Sequence, residues 1–265
     1  MEKSRILITG ASRGIGRATA LQLARRGANL VLVARNLDEL REVAHEVTQL
    51  GGQAQVVSLD LTSDASVCQG TAQVLKQGPV SILLNNAGVC HQGTFLQISE
   101  AQRSEEWQLN YHGVLRMIEQ LLPSMIMRRQ GRIINVSSLL GVSAAPSTAN
   151  YSATKAALEA FSQGLRGEVA AAGISVEVFV APHTQTELGR RVTMDGVVSL
   201  PVDYVAARLV RAVEQPAHRS YGSPVYRVLS WLGRVFPRFM ERQMIKAARS
   251  ALQRSNELQR PGSVC

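Results

Sequence analysis

The chain has few cysteines and no long apolar run. No stretch approaches the ~20 consecutive apolar residues that a membrane-spanning helix needs. The run Ile6-Leu7-Ile8, close behind the first residues, is far shorter than the core of a secretory signal. Cys68, Cys90 and Cys265 lack metal-ligand spacing and cannot all pair with one another. A reduced, cytoplasmic protein without a structural metal is therefore expected. No Pro/Gly/Ser-rich linker, tandem repeat or low-complexity segment divides the 265 residues, so they read as one globular domain and a tail. The net charge of +9 comes without any RNA-binding or helix-turn-helix signature, and its arginines are scattered. Nucleic acid is thus not the expected partner, and the charge is better used on a polyanionic cofactor.

What the chain does have is alternation. Short apolar strands at Arg5–Thr9, Asn29–Ala34, Ala54–Ser58, Ile82–Asn85, Arg132–Val136 and Ser175–Val180 are separated by helical stretches. Those stretches are Gly14–Arg26, Leu37–Leu50, Ser63–Lys76, Glu100–Arg129 and Asn150–Ala172. Strands rich in Val, Ile and Leu between helices predict an α/β fold, a parallel sheet covered on both faces. Thr184–Leu200 has weak periodicity and reads as a mobile segment. Pro201-Val202-Asp203 opens a helix to about Glu214, with Asp203 as its expected N-cap.

Between the first strand and first helix stands Thr9-Gly10-Ala11-Ser12-Arg13-Gly14-Ile15-Gly16. Glycines there let the backbone turn sharply and approach a pyrophosphate, which the helix N-terminus attracts. The second strand ends in Val33-Ala34-Arg35-Asn36, with no acid for the adenine-ribose hydroxyls that an NAD site presents. Arg35, with Arg13 from the turn, would instead meet a 2′-phosphate. Charge-assisted bonds of roughly 1.5–3 kcal/mol each predict NADP(H).

Tyr151 and Lys155 stand at i and i+4, on one face of a helix. An ammonium ~5 Å from a phenol favours the phenolate by about 3 kcal/mol at an effective dielectric of ~20, so a lowered tyrosine pKa is expected. Ser138 ends the preceding strand and can donate a hydrogen bond to a substrate oxygen. Asn85-Asn86-Ala87-Gly88 closes another strand at the same rim. Asn110, unfavourable inside a helix, is either a structural amide or the holder of a water beside Lys155.

Taken together, Thr9-Gly10-x-x-x-Gly14-x-Gly16, Asp60, Asn85-Asn86-Ala87-Gly88, Asn110, Ser138, Tyr151 and Lys155 resemble the short-chain dehydrogenase/reductase superfamily over about residues 5–215. The resemblance implies a Rossmann-type sheet of about seven strands in three αβα layers. It implies an enzyme moving a hydride between NADP(H) and a carbonyl or alcohol carbon, and a homodimer or homotetramer. Its tetrad would be Tyr151 as acid/base, Ser138 positioning the substrate, Lys155 also gripping the ribose, and Asn110 holding a relay water. Gly10, Ser12, Arg13, Gly14, Ile15, Gly16, Arg35, Asp60, Leu61, Asn86, Ala87, Gly88, Pro182 and Thr186 would bind the cofactor with Tyr151 and Lys155. The usual Pro-Gly after the sixth strand is Pro182-His183 here, so His183 is either a turn residue facing solvent or a substrate contact. The rival reading is a catalytically idle NADPH-sensing protein, which would have no need of all four tetrad residues.

Residues 216–265 form an extension beyond the nucleotide-binding and catalytic domain of residues 1–215. In it Val228, Trp231, Leu232, Val235, Phe236 and Phe239 follow helical spacing, broken or kinked at Pro237. This stripe is expected to pack over the substrate pocket or another subunit. With its many arginines, it is otherwise read as lying on a membrane surface. A bulky apolar substrate, resembling a lipid, steroid or retinoid, fits such an extension.

Overall fold

The computed structural model describes residues 4–258; Cys265 and Met1 to Lys3 lie outside the described residues. The chain runs β1 (Arg5–Thr9), α1 (Gly14–Ala24), β2 (Asn29–Ala34), α2 (Leu37–Gln49), β3 (Gln53–Ser58) and α3 (Asp64–Lys76). It continues through β4 (Ile82–Asn85), α4 (Glu100–Trp107), α5 (Gly113–Arg128), β5 (Gly131–Ser138), α6 (Ala149–Val169) and β6 (Ile174–Ala181). Then come α7 (Glu187–Arg190), α8 (Val202–Glu214), β7 (Arg219–Tyr221), α9 (Pro224–Val235), α10 (Pro237–Ala247) and α11 (Arg249–Leu258).

The seven strands form one parallel sheet in the order β3-β2-β1-β4-β5-β6-β7. Side chains alternate across it. Ile6, Ile8, Leu30 and Leu32 pack with Leu23, Leu40 and Leu209 from α1, α2 and α8. Leu7, Val31 and Val33 turn the other way, to Val74, Met117 and Leu158 from α3, α5 and α6. Each such buried side chain stabilises by roughly 1.5–3 kcal/mol, and the period of two decides which layer receives it. Strand order reverses between β1 and β4, and the crevice beyond their carboxyl ends is where this architecture receives ligands.

Several details depart from the sequence expectations. The helix expected over Glu100–Arg129 is interrupted by a π-helical turn at Gln108–His112, which carries Asn110. Asp203 lies in the first turn of α8 rather than at its N-cap, which is Pro201, so no side chain caps that helix. The segment 184–200 is closed on itself by a bridge between Thr184 and Leu200 and holds the single turn α7. The sheet takes its last strand, Arg-Ser-Tyr, from beyond residue 215, so the added helices begin at Pro224. Pro237 does separate two helices, standing at the first position of α10, where its missing N–H costs nothing.

Candidate active site

The turn after β1 is shaped by close approach. Gly10 and Gly14 have φ of 66° and 59°, a conformation that side chains resist. A Cβ on Gly16 would overlap the Gly10 carbonyl and come 2.6 Å from Asn86 Nδ2, while one on Gly10 would stand 2.9 Å from Ala87 Cα. The Asn86 side chain donates to the carbonyls of Thr9 and Gly10, and Thr9 Oγ1 accepts from the N–H groups of Asn86 and Ala87. Asn86 thus braces the turn from below. The N-terminus of α1 has no side-chain cap, leaving it open to an anion. A cradle that any Cβ would fill, beside an uncapped helix, fits the pyrophosphate of a dinucleotide.

A cavity of about 930 Å³ runs over this turn. At one end it is lined by Ser12, Arg13, Ile15, Arg35, Asp60 and Leu61, all expected cofactor residues. Asp60 is fixed by Thr62, whose N–H and hydroxyl donate to Oδ1 at 2.9 and 2.8 Å. Burial opposes its charge, but the Thr62 bonds and the nearby Arg35 and Arg116 hold its carboxyl below the ordinary value. Arg35 is exposed at the mouth, and Asn36 beside it caps α2. Arg13 does not stand free beside it, because its guanidinium pairs with Glu187 of α7 across the cleft. Thr186, the N-cap of α7, lies against Gly14, so the loop after β6 closes over the glycine turn.

Three of the four expected tetrad residues, Ser138, Tyr151 and Lys155, line the cavity, and Asn110 is buried behind its wall. Lys155 is almost fully buried, its ammonium donating to the Val136 carbonyl at 2.9 Å and standing 5.8 Å from the Tyr151 ring centre. Tyr151 and Lys155 line the cavity with Ser138, which is also hydrogen-bonded to the tyrosine. The expected lowering of the Tyr151 pKa is not what the protein alone produces. Burial and the nearby Cys90 push the phenol up, outweighing the hydrogen bond with Ser138. Burial also pushes Lys155 down to about 8, against the raising influence of Cys90 and Glu159. At both groups desolvation outweighs the neighbouring charges and hydrogen bonds. The raised pKa favours the neutral phenol.

Asn110 is fully buried. Its Oδ1 accepts from Val89 N at 2.8 Å, and its Nδ2 donates to Val89 O at 2.8 Å and Thr154 Oγ1 at 3.2 Å. The π-helical turn swings this amide inward to strap the loop after β4, next to Gly88. Both donors are occupied, so the side chain serves first as a structural strap.

His183 does not stand as a free solvent-facing turn residue, for it lines the cavity while its ring is held within the loop. Its Nε2 is 3.1 Å from Gly189 O and 3.0 Å from Val192 O, pinning the ring inside the loop, and its backbone N–H donates to the Tyr226 hydroxyl. Pro182 lines the cavity beside it.

The far end of the cavity is apolar, lined by Leu140, Val192, Met194, Leu229 and Met244. Leu229 and Met244 come from α9 and α10, so residues of the extension line the cavity, and of the expected stripe Leu232 packs inward beside them. Leu229, Ser230, Gly233, Met240 and Met244 turn inward, whereas Val228, Trp231, Val235, Phe236 and Phe239 are exposed. The rest of the apolar stripe legible in the sequence forms the outer face, because small Ser230 and Gly233 permit the close approach; Gly233 sits against Ser143.

Sequence reasoning missed three groups here, two of them buried. Cys90 lines the cavity beside Tyr151, its thiol kept protonated by burial. Glu106, fully buried, accepts from His91 N and Asn150 Nδ2, anchoring the start of α6 one residue before Tyr151. Glu159 accepts from Ser137 and pairs with Arg219 and Arg234, joining α6 to β5, β7 and α9. No spacing pattern announces any of them.

The short chain dehydrogenase family model matches residues 4–195. The chain belongs to this family. It is 37% identical over 188 residues to oxidoreductase UcpA of Salmonella typhimurium, covering 70% of this chain and 71% of that protein. It is 39% identical over 188 residues to a fatty acyl-CoA reductase of Acinetobacter baylyi, covering 69% of this chain and 63% of that protein. Among solved structures, a short-chain dehydrogenase from Sphingobium yanoikuyae in complex with NADPH superposes with a TM-score of 0.77 at 26% identity, covering 99% of this chain and 98% of that one. Other matched structures hold NADP. The protein is an NAD(P)(H)-dependent oxidoreductase of this family.

Proposed function

We propose that the protein uses NADPH to reduce the carbonyl group of a bulky, apolar compound to an alcohol, with Tyr151 as the proton donor. The observation that carries this reading is the placement of Tyr151 beside Ser138 and Lys155 on the wall of a cavity that is also lined by apolar side chains. When bound, the cofactor supplies a hydride to the carbonyl carbon. Ser138 Oγ donates a hydrogen bond that aligns the carbonyl oxygen, and Tyr151 gives that oxygen its proton as negative charge develops there. Lys155 holds the ribose hydroxyls and stabilises the tyrosinate left behind. Asn110 keeps the Val89 loop and α6 in register, and a water on its remaining lone pair would return the proton. Arg35 selects the 2′-phosphate.

Leu140, Val192, Met194, Leu229 and Met244 favour an apolar substrate body, because they offer it no hydrogen-bonding partner. The likeness to a reductase named for fatty acyl-CoA supports a long apolar chain among the candidates. The free thiols of Cys68 and Cys90 support a cytoplasmic location. We retain the homodimer or homotetramer that the resemblance implies.

A panel of aldehydes and ketones of increasing chain length and ring number, followed by NADPH absorbance, tests the reading. kcat/KM is expected to rise with apolar size, and Tyr151→Phe to cut turnover by at least ~10²-fold with NADPH binding intact. Preference for small polar carbonyls, or near-wild-type turnover in Tyr151→Phe, would overturn it.

A further inference from the structure

The two helices that wall the pocket carry a second face with nothing packed on it. Val225, Val228, Trp231, Val235, Phe236 and Phe239 are each about half exposed or more. Trp231 and Phe236 meet edge to face, with ring centres 6.2 Å apart. Around a helical wheel, Val225, Val228, Trp231 and Val235 share one side of α9, opposite the inward Tyr226, Leu229 and Gly233. Arg227 flanks that side together with Arg234, whose charge is shared with Glu159. Arg238, Arg242 and Lys246 continue the positive charge along the exposed side of α10, and Glu241 is the only acid between Pro224 and Gln253.

We propose that this outer face of α9 and α10 docks on an anionic lipid surface. Aromatic and aliphatic side chains flanked by arginine and lysine suit the boundary between headgroups and acyl chains. Such a patch is more apolar than nucleic acid requires. It is a poor match for a second copy of the chain, since a two-fold contact would set the same arginines against themselves. Among the described residues no helix is long and apolar enough to cross a membrane, so the contact is a surface one. Docking would hold the inward Leu229 and Met244 only about 10 Å, one helix diameter, from the lipid. An apolar substrate dissolved in the bilayer would then reach the pocket without crossing water. That last consequence rests on the proposed substrate class, but the docking itself does not.

The test is co-sedimentation of the full chain with phosphatidylcholine vesicles, with and without phosphatidylserine, alongside its oligomeric state measured by light scattering. Binding is expected with phosphatidylserine only, and to be reversed by high salt. Each basic residue at an anionic surface strengthens binding about fivefold, so Arg227→Gln/Arg238→Gln/Arg242→Gln should weaken it by roughly 100-fold. Trp231→Ser/Phe236→Ser should weaken it by more than about tenfold, while melting temperature and turnover of a small soluble carbonyl stay near wild type. The inference is overturned by absence of binding at low salt, or by unchanged binding in the Trp231/Phe236 variant. It is equally overturned if that variant loses self-association while the wild type ignores vesicles, because a second copy would then be the occupant.

Discussion

The Tyr226 hydroxyl accepts a 3.0 Å hydrogen bond from the backbone N–H of His183, tying α9 to the loop after β6 that closes over the glycine turn. With His183 Nε2 pinned between the Gly189 and Val192 carbonyls, one residue couples the extension to the whole loop. Tyr226 is buried, and burial pushes its pKa up, so it remains neutral and the contact persists across ordinary pH.

Tyr226→Phe would leave the His183 N–H buried without its partner, at a cost of about 1–2 kcal/mol. The expected result is a small loss in denaturant stability together with a several-fold rise in KM for bulky carbonyls, small ones being unaffected. Equal effects on bulky and small substrates would show that the contact is structural only.

Arg35→Ala should lower NADPH affinity by ~1.5–3 kcal/mol and leave NADH affinity nearly unchanged, as measured by titrating both cofactors. Arg13 is engaged with Glu187, so Arg35 carries more of the selection than two free guanidiniums would share. Glu187→Gln, by releasing Arg13 from an exposed ion pair, should tighten NADPH by up to ~1 kcal/mol.

Lys155 titrates at about 8 in the fold, below its ordinary 10.5, so the unfolded chain binds more protons at this position between those values. Its burden on folding is therefore full below about pH 8 and relieved as pH rises toward 10.5. Urea melts of the wild type and Lys155→Met at pH 7 and pH 10 should show the stability difference moving by about 2–3 kcal/mol in favour of the wild type at the higher pH. A difference that does not move with pH would mean that burial leaves the ammonium unperturbed.

Gly164 and Gly167 lie exposed in α6, where a Cβ would meet nothing within 4 Å. Replacing either by alanine removes backbone freedom from the unfolded chain and should raise stability by about 0.5–1 kcal/mol in thermal melts. A loss instead would indicate that this face of α6 is covered by another subunit.

By itself the sequence determined the layering and the chemistry. Alternating apolar strands dictate a parallel sheet whose odd and even side chains feed opposite helical layers. The glycines of the turn, Tyr151 with Lys155, and Ser138 are local patterns that stand out within one or two elements, and the family resemblance is what suggests their roles. The tertiary structure decided what depends on distant segments meeting. The strand Arg219–Tyr221 has no apolar signature and exists because β6 offers an open edge. Asn110 becomes a strap only because Val89 and Thr154 arrive beside it, and Glu106 and Glu159 acquire roles only through contacts many residues away. The Tyr151 pKa moves opposite to the pairwise expectation because burial is a property of the whole site. Helical spacing marked Trp231 and Phe236 as apolar but could not say which face turns inward. That choice belongs to Ser230 and Gly233, small enough for α9 to close on the domain, which leaves the large side chains outside.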